Sequence, residues 1–323
     1  MIITRTPFRV SFVGGGSDLR EFYSRNGVGA VVSAAINKYM YLIIHPYFHD
    51  KIRLKYARTE DVAHVDEIQH PLIRECLRKV KIDRGIEIAS FADVPAGTGL
   101  GSSSAFTVGL LNALYAYRGK VVPKERLAAE ACEIEIDILG EPIGKQDQYA
   151  AACGNLNYIA FNRDETVNVT PILMSEAVKG SLESRLCLYY IGGDRRSRDI
   201  LGEQKKNTSR AGTVKNLTTL VGLAGELRDR LQGGDPEAIG DILHRGWLCK
   251  KELAGGISNG RIDSLYTKAL ENGARGGKLL GAGAAGFMLL HAPDHRKLKK
   301  ALGLRVLPFR IDREGTKIIF YES

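Results

Sequence analysis

From Asp93 to Ala105 the chain reads Asp-Val-Pro-Ala-Gly-Thr-Gly-Leu-Gly-Ser-Ser-Ser-Ala, with glycine at 97, 99 and 101 and serine at 102, 103 and 104. The segment follows a strand-like run, Gly85–Phe91, and precedes Phe106, Leu110, Ala113, Leu114 and Tyr117, which recur at helical spacing. A strand must therefore turn into a helix through a loop of glycines. Glycine allows left-handed backbone and close approach, while the first helical turn offers unpaired N–H groups and the positive end of the dipole. An anion suits such a place. The three hydroxyls add donors, or ligands for a hard cation such as Mg²⁺. Taken alone, the loop is equally well read as a tight structural turn.

Several familiar chemistries are excluded. The pattern GxxxxGK[ST] occurs nowhere and the loop holds no lysine, so this is not a Walker loop. The one literal GxGxxG, Gly281–Gly286, runs into strand-like Phe287–His291 where a dinucleotide fold requires a helix. The 7 histidines show no HExxH spacing and no serine occupies a GxSxG elbow. Cys76, Cys132, Cys153, Cys187 and Cys249 form no CxxC pair and read as free thiols. The net charge of +9 arises from Lys and Arg spread over the whole length, without a basic stripe, which favours a phosphorylated small molecule over nucleic acid as partner. No run approaches the roughly 20 apolar residues of a membrane span, and the opening MIITRTPFRV lacks the apolar centre of a secretory signal. A cytoplasmic protein with no membrane partner is expected, and a homo-oligomer is left open.

At 323 residues the chain predicts two lobes. Arg9–Val13, Tyr39–Ile44, Ile52–Tyr56 and Gly85–Phe91 read as strands, and His70–Val80 and the segment after the glycine loop as helices. Pro123 suits the first turn of another helix, with Leu127, Ala131, Ile134 and Ile138 on one apolar face and Gly140 as its stop. Beyond Tyr158–Phe161 lies a polar, turn-rich stretch; beyond Leu186–Tyr190 the pattern is mainly helical as far as Ala274. Strand-like Lys278–Leu280, Phe287–His291 and Lys317–Tyr321 follow, predicting helices packed on a small antiparallel sheet. The expected division is 1–170 and 171–323, in an α+β architecture.

Two further segments carry chemistry. Pro7-Phe-Arg9-Val-Ser-Phe-Val-Gly14-Gly15-Gly16-Ser17-Asp18 is a strand that ends in glycines and an acceptor side chain. It suits a polyhydroxylated ligand, because a carboxylate accepts hydrogen bonds from adjacent hydroxyls; a turn capped by Asp18 is the other reading. Gly140-Glu-Pro-Ile-Gly144-Lys145-Gln146-Asp147-Gln148 presents a carboxylate beside a lysine, a pattern also met in solvated or helix-capping aspartates.

The order PFRVSFVGGGSD, PAGTGLGSSSA, GKQDQ and KLLGAGAAGF resembles the GHMP family of small-molecule kinases over residues 7 to 287. The wording of GGGSDL, IEIDILGEPIGKQDQYAAACGNLN and GWLCKKEL is similar to the branch that phosphorylates D-glycero-D-manno-heptose 7-phosphate at its anomeric oxygen. The resemblance implies an N-terminal lobe like ribosomal protein S5 domain 2, a ferredoxin-like C-terminal lobe, and ATP with Mg²⁺ between them. It implies that Pro95, Gly97, Thr98, Gly99, Leu100, Gly101, Ser102, Ser103 and Ser104 wrap the triphosphate, and that Ser103 and Glu135 hold the metal. It further implies Asp147 as catalytic base steadied by Arg9, Gly15, Gly16, Ser17 and Asp18 around the substrate, and the loop from Gly281 through Gly283 to Gly286 closing on the substrate or the nucleotide phosphates. Arg195, in the run Asp194-Arg195-Arg196-Ser197-Arg198, is the expected contact for the sugar's own phosphate; a solvated cluster is the alternative. Lys250 and Lys251 read better as a solvated helix face than as phosphate ligands. The implied product is the 1,7-bisphosphate, on the way to nucleotide-activated heptose for capsule or surface polysaccharide. Free heptose, fucose or galactose as acceptor, and a non-catalytic nucleic-acid binder, are the competing readings.

Overall fold

The computed structural model describes residues 1–193 and 197–322. Seven strands come from the first half: β1 (Ile2–Val13), β2 (Gly29–Pro46), β3 (Ile52–Lys55), β4 (Thr59–Val62), β5 (Ile86–Ala92), β6 (Leu156–Phe161) and β7 (Val167–Pro171). Four more belong to the second half: β8 (Leu186–Gly192), β9 (Gly276–Leu279), β10 (Gly286–His291) and β11 (Arg305–Leu307). β12 (Lys317–Tyr321) closes the chain. The long β2 organises the first lobe: its start pairs with β6, its end with β5, and its length with β1. The helix Ser102–Tyr117 packs across β1 and β2, buried on nearly every side. Gly109 makes that approach feasible, since a Cβ there would lie 2.6 Å from Oγ1 of Thr6.

The second lobe is a four-stranded antiparallel sheet in the order β11-β8-β10-β9, against which the helix Ala238–Lys251 packs; the helix Ala211–Gln232 packs on that helix and on β1, β2 and β6 of the first lobe. The architecture is thus α+β in two lobes, as expected from the alternation of patterns. Three local expectations are corrected. Lys317–Tyr321 does not join the second-lobe sheet but pairs antiparallel with β1, from Ile2↔Tyr321 to Arg5↔Lys317. Its β-propensity says strand; which open edge receives it is decided by the non-local pairing. The stretch after Phe161 contains β7 and the helix Glu176–Arg185, whose start is capped by Ser175 accepting from the Val178 N–H.

The third correction bears on the site. The helix Lys124–Cys132 begins after Pro123 and continues as a π-helical turn, Glu133–Ile138. The wider turn breaks the single apolar face predicted for this helix. Ile134 remains buried, Ile138 is 49% exposed, and the carboxylate of Glu135 is turned fully inward at 0% exposure.

Candidate active site

A cavity of about 460 Å³ opens between the lobes, lined on one side by Gly97, Gly99, Gly101, Ser102 and Ser103 and on the other by Gly15, Gly16, Asp18, Gln146 and Asp147. At its centre Arg9 from β1 makes a two-pronged contact with Asp147: Nε donates to Oδ1 and Nη2 to Oδ2, each at 2.6 Å. The third prong, Nη1, donates to the Gly99 carbonyl at 2.6 Å. One guanidinium thereby fixes the carboxylate and ties it to the glycine-serine loop. Such forked, charge-assisted contacts set orientation as well as energy. Each carboxylate oxygen still has lone pairs free for a further donor.

Asp18 is held by a different set of donors. Its Oδ1 accepts from the Gly16 N–H at 2.8 Å, and Oδ2 from the Gln146 N–H at 3.2 Å and the Gln146 amide at 3.1 Å. Burial pushes this carboxyl above its ordinary range; the Gly16 N–H opposes that, nearby Asp147 reinforces it and the Gln146 N–H opposes it in turn. Beside Asp18, Oγ of Ser11 and Oε1 of Gln146 are buried without a hydrogen-bond partner among the described residues, and both residues line the cavity. Orphaned buried polar atoms are costly, and hydroxyl groups of a ligand would complete them.

Below the loop, Ser103 donates to Oε1 of Glu135 at 2.6 Å and the Gln148 amide to Oε2 at 2.7 Å. Burial raises the Glu135 carboxyl to about 7, against the hydrogen bonds from Ser103, Gln148 and Ser104, with Asp147 adding to the rise. Ser103 reaches the cavity wall and Glu135 stands directly behind it. A serine oxygen backed by a carboxylate is a hard-oxygen donor set, and it fits Mg²⁺, which needs only one or two protein groups when phosphate oxygens and water complete its shell. No group of three or more His, Cys, Asp or Glu residues suited to a metal occurs among the described residues.

The other expected residues divide into those at the cavity and those behind it. Gly281 lines the cavity, whereas a Cβ on Gly283 would meet the Ile257 backbone at 2.6 Å, so Gly283 serves packing rather than contact with a ligand. The Ser17 hydroxyl is directed away from the cavity, donating to Gly14 and Ala30 carbonyls and accepting from the Ala30 N–H. Pro95 is exposed and its carbonyl accepts from the Thr98 hydroxyl at 2.9 Å, which turns the Thr98 side chain away. Leu100 is a core residue whose carbonyl accepts from the Arg9 N–H, and Ser104 is buried toward Glu135. Arg195 lies outside the described residues. Lys250 corrects the solvated-face expectation: it is 8% exposed, lines the cavity and donates to the carbonyls of Leu279 at 3.1 Å and Gly281 at 2.6 Å. Lys251 pairs with Asp263 at 3.2 Å, outside the cavity lining.

Sequence reasoning did not single out Ser11, Gly144, Gln146 or Lys278. All four stand inside motifs already quoted, and only the meeting of those motifs in space gives them a role. No helix among the described residues is long and apolar enough to cross a membrane.

The chain is similar to known proteins along its length. Residues 70–155 match the GHMP kinases N terminal domain and residues 225–305 match the GHMP kinases C terminal domain. The chain is 29% identical to a D-glycero-alpha-D-manno-heptose 7-phosphate kinase from Campylobacter jejuni, covering 98% of each chain. It is 28% identical to a galactokinase from Pyrococcus furiosus, over 88% of this chain and 87% of that one. A crystal structure of a D-glycero-D-manno-heptose 1-phosphate kinase from Bacteriodes thetaiotaomicron superposes over 100% of both chains with a TM-score of 0.82 at 26% identity. With both family domains matched in order and the fold shared along its whole length, the chain belongs to the GHMP kinases and is a phosphotransferase that acts on an alcohol group.

Proposed function

We propose that this kinase transfers the terminal phosphate of ATP to the anomeric hydroxyl of D-glycero-D-manno-heptose 7-phosphate, giving the 1,7-bisphosphate. The observation that carries the reading is the three-pronged grip of Arg9, which holds Asp147 on one side and the Gly99 carbonyl on the other. That grip fixes the distance between a proton acceptor and the loop that cradles the nucleotide phosphates. Phosphoryl transfer asks a protein mainly for positioning and charge neutralisation, and both are built into this contact.

In this mechanism Gly97 to Ser103 receives the triphosphate at the N-terminus of the helix Ser102–Tyr117, whose start has no side-chain cap. Ser103, with Glu135 behind it, would hold Mg²⁺, which neutralises phosphate charge when bound. Asp18 and the unpartnered atoms of Ser11 and Gln146 accept and donate to the sugar hydroxyls. The reacting hydroxyl then faces Asp147, which takes its proton as the oxygen attacks the terminal phosphorus and the bond from that phosphorus to the bridging oxygen breaks, releasing ADP. Arg9 stays bound to Asp147 throughout and stabilises the charge that develops. Leu201 and Ile143 add apolar lining to the cavity, which disfavours water as a competing acceptor.

The acceptor is assigned from the heptose-phosphate kinases that this chain resembles and from the polar sugar side of the cavity. Family membership sets aside the non-catalytic nucleic-acid binder. ADP release measured over a panel of heptoses, hexoses and their phosphates tests the assignment. Heptose 7-phosphate should give the highest kcat/KM, and a higher value for an unphosphorylated sugar would move the assignment to that sugar.

A further inference from the structure

Lys278 has no part in the mechanism above, yet it is a charged side chain inside the same cavity. It sits on β9 at 5% exposure and lines the cavity with Arg9 and Asp18. Burial, aided by the like charge of Arg9, pushes its ammonium down to about 7, with Asp18 pulling the other way. No ion pair or hydrogen bond joins the Lys278 ammonium to a partner among the described residues. Asp18, the carboxylate that acts on it, already accepts from Gly16 and twice from Gln146. A buried ammonium next to a guanidinium is expensive to keep charged unless an anion joins them.

The position of Lys278 is rigidly defined. β9 leads into the loop 280–286, where a Cβ on Gly286 would lie 2.3 Å from the Thr98 carbonyl oxygen. The Phe287 N–H donates to that same oxygen at 3.3 Å. Lys250 fastens the other end of the loop through the Leu279 and Gly281 carbonyls. The second lobe therefore docks on the glycine-serine loop, which has no lysine of its own, and brings one to the cavity beside it.

We propose that Lys278 binds a phosphate oxyanion in this cavity, donated either by the terminal group of the nucleotide or by the sugar's own phosphate. The proposal rests on the kinase reading above for its two ligands, and its test separates the two ideas. Lys278→Met fills the same space without charge, and Lys278→Arg keeps the charge. Binding of inorganic pyrophosphate, ATP and ADP to each is measured by calorimetry, together with rates on heptose 7-phosphate and on free heptose.

Loss of one charged contact should weaken pyrophosphate binding by about tenfold or more in Lys278→Met, with Lys278→Arg retaining most of it. If the nucleotide supplies the oxyanion, the preference for ATP over ADP falls and kcat drops on both acceptors. If the sugar supplies it, KM rises for the phosphorylated acceptor alone. Wild-type values for pyrophosphate affinity, nucleotide preference and both KM values in Lys278→Met overturn the proposal. Failure of the wild type to phosphorylate any sugar would overturn the substrate reading, and the pyrophosphate titration would still decide the role of Lys278. Melting curves confirm folding, and Lys278→Gln stands in as the neutral variant should the methionine protein misfold.

Discussion

The Asp18 carboxylate fills the space that a side chain on Gly144 would need: a Cβ there would lie 2.0 Å from Oδ2 of Asp18. The loop before Asp147 can therefore approach Asp18 only with glycine at this position. Gly144→Ala should displace Asp18 from its Gln146 donors. The expected result is a rise of about tenfold or more in KM for the sugar, with KM for ATP unchanged within about threefold, read by steady-state kinetics in which each substrate is varied in turn.

Gly101 has a comparable relation to Arg9 and Asp147. Its φ is +74°, and a Cβ would stand 3.2 Å from both Oδ2 of Asp147 and Cγ of Arg9. Gly101→Ala combines backbone strain with pressure on the forked contact. A fall in kcat of about 10- to 100-fold is predicted, larger than any change in sugar KM. Unchanged kcat in a folded variant would show that the pair tolerates displacement.

Glu135 makes stability depend on pH and on divalent cation. Its folded carboxyl titrates near 7, against an ordinary 4.5. The folded state thus binds more protons than the unfolded chain between those values, so stability falls as pH rises from about 4.5 toward 7. A cation beside Ser103 and Glu135 offsets this loss, because it favours the ionised form. Mg²⁺ with ADP should raise the melting temperature more at pH ~8 than at pH ~5.5, and Glu135→Gln should remove the difference between the two. An equal Mg²⁺ effect at both pH values in the wild type would contradict the assignment.

Lys278 reverses the sign, since its ammonium is depressed from 10.5 to about 7. The penalty for burying the charge is complete below about 7 and fades as pH rises toward 10.5. Lys278→Met should therefore raise the melting temperature of the ligand-free protein at neutral pH, and raise it less near pH ~10. A lower melting temperature at both would show that the lysine is structurally paired.

Much of this site was legible in the sequence because its parts are local. Gly97 to Ser103 reads as a strand-to-helix loop open to an anion, and Asp18 and Asp147 each stand in short glycine-bearing turns. What was not legible depends on meetings between distant segments. The bond from Arg9 to Gly99 and Asp147 joins three motifs, and nothing in any one of them fixes the geometry. Ile138 was expected on a buried face because a regular helix places it there; the π turn that exposes it and buries Glu135 leaves no mark in the periodicity. Lys278 is hidden for another reason. It lies in a short buried strand, where a lysine is ordinarily unexpected, and only the fold shows that it opens onto the cavity. The strand Lys317–Tyr321 was recognisable as a strand, but its partner β1 is separated from it by nearly the whole chain.

The central claim is that Asp147, held by Arg9, takes the proton of the acceptor hydroxyl. ADP release by Asp147→Asn with saturating ATP and heptose 7-phosphate tests it most directly. Asparagine keeps the shape and removes the proton acceptor, so kcat should fall by about 10²- to 10⁴-fold with ATP affinity within about threefold of the wild type. Turnover within about threefold of the wild type would contradict the account.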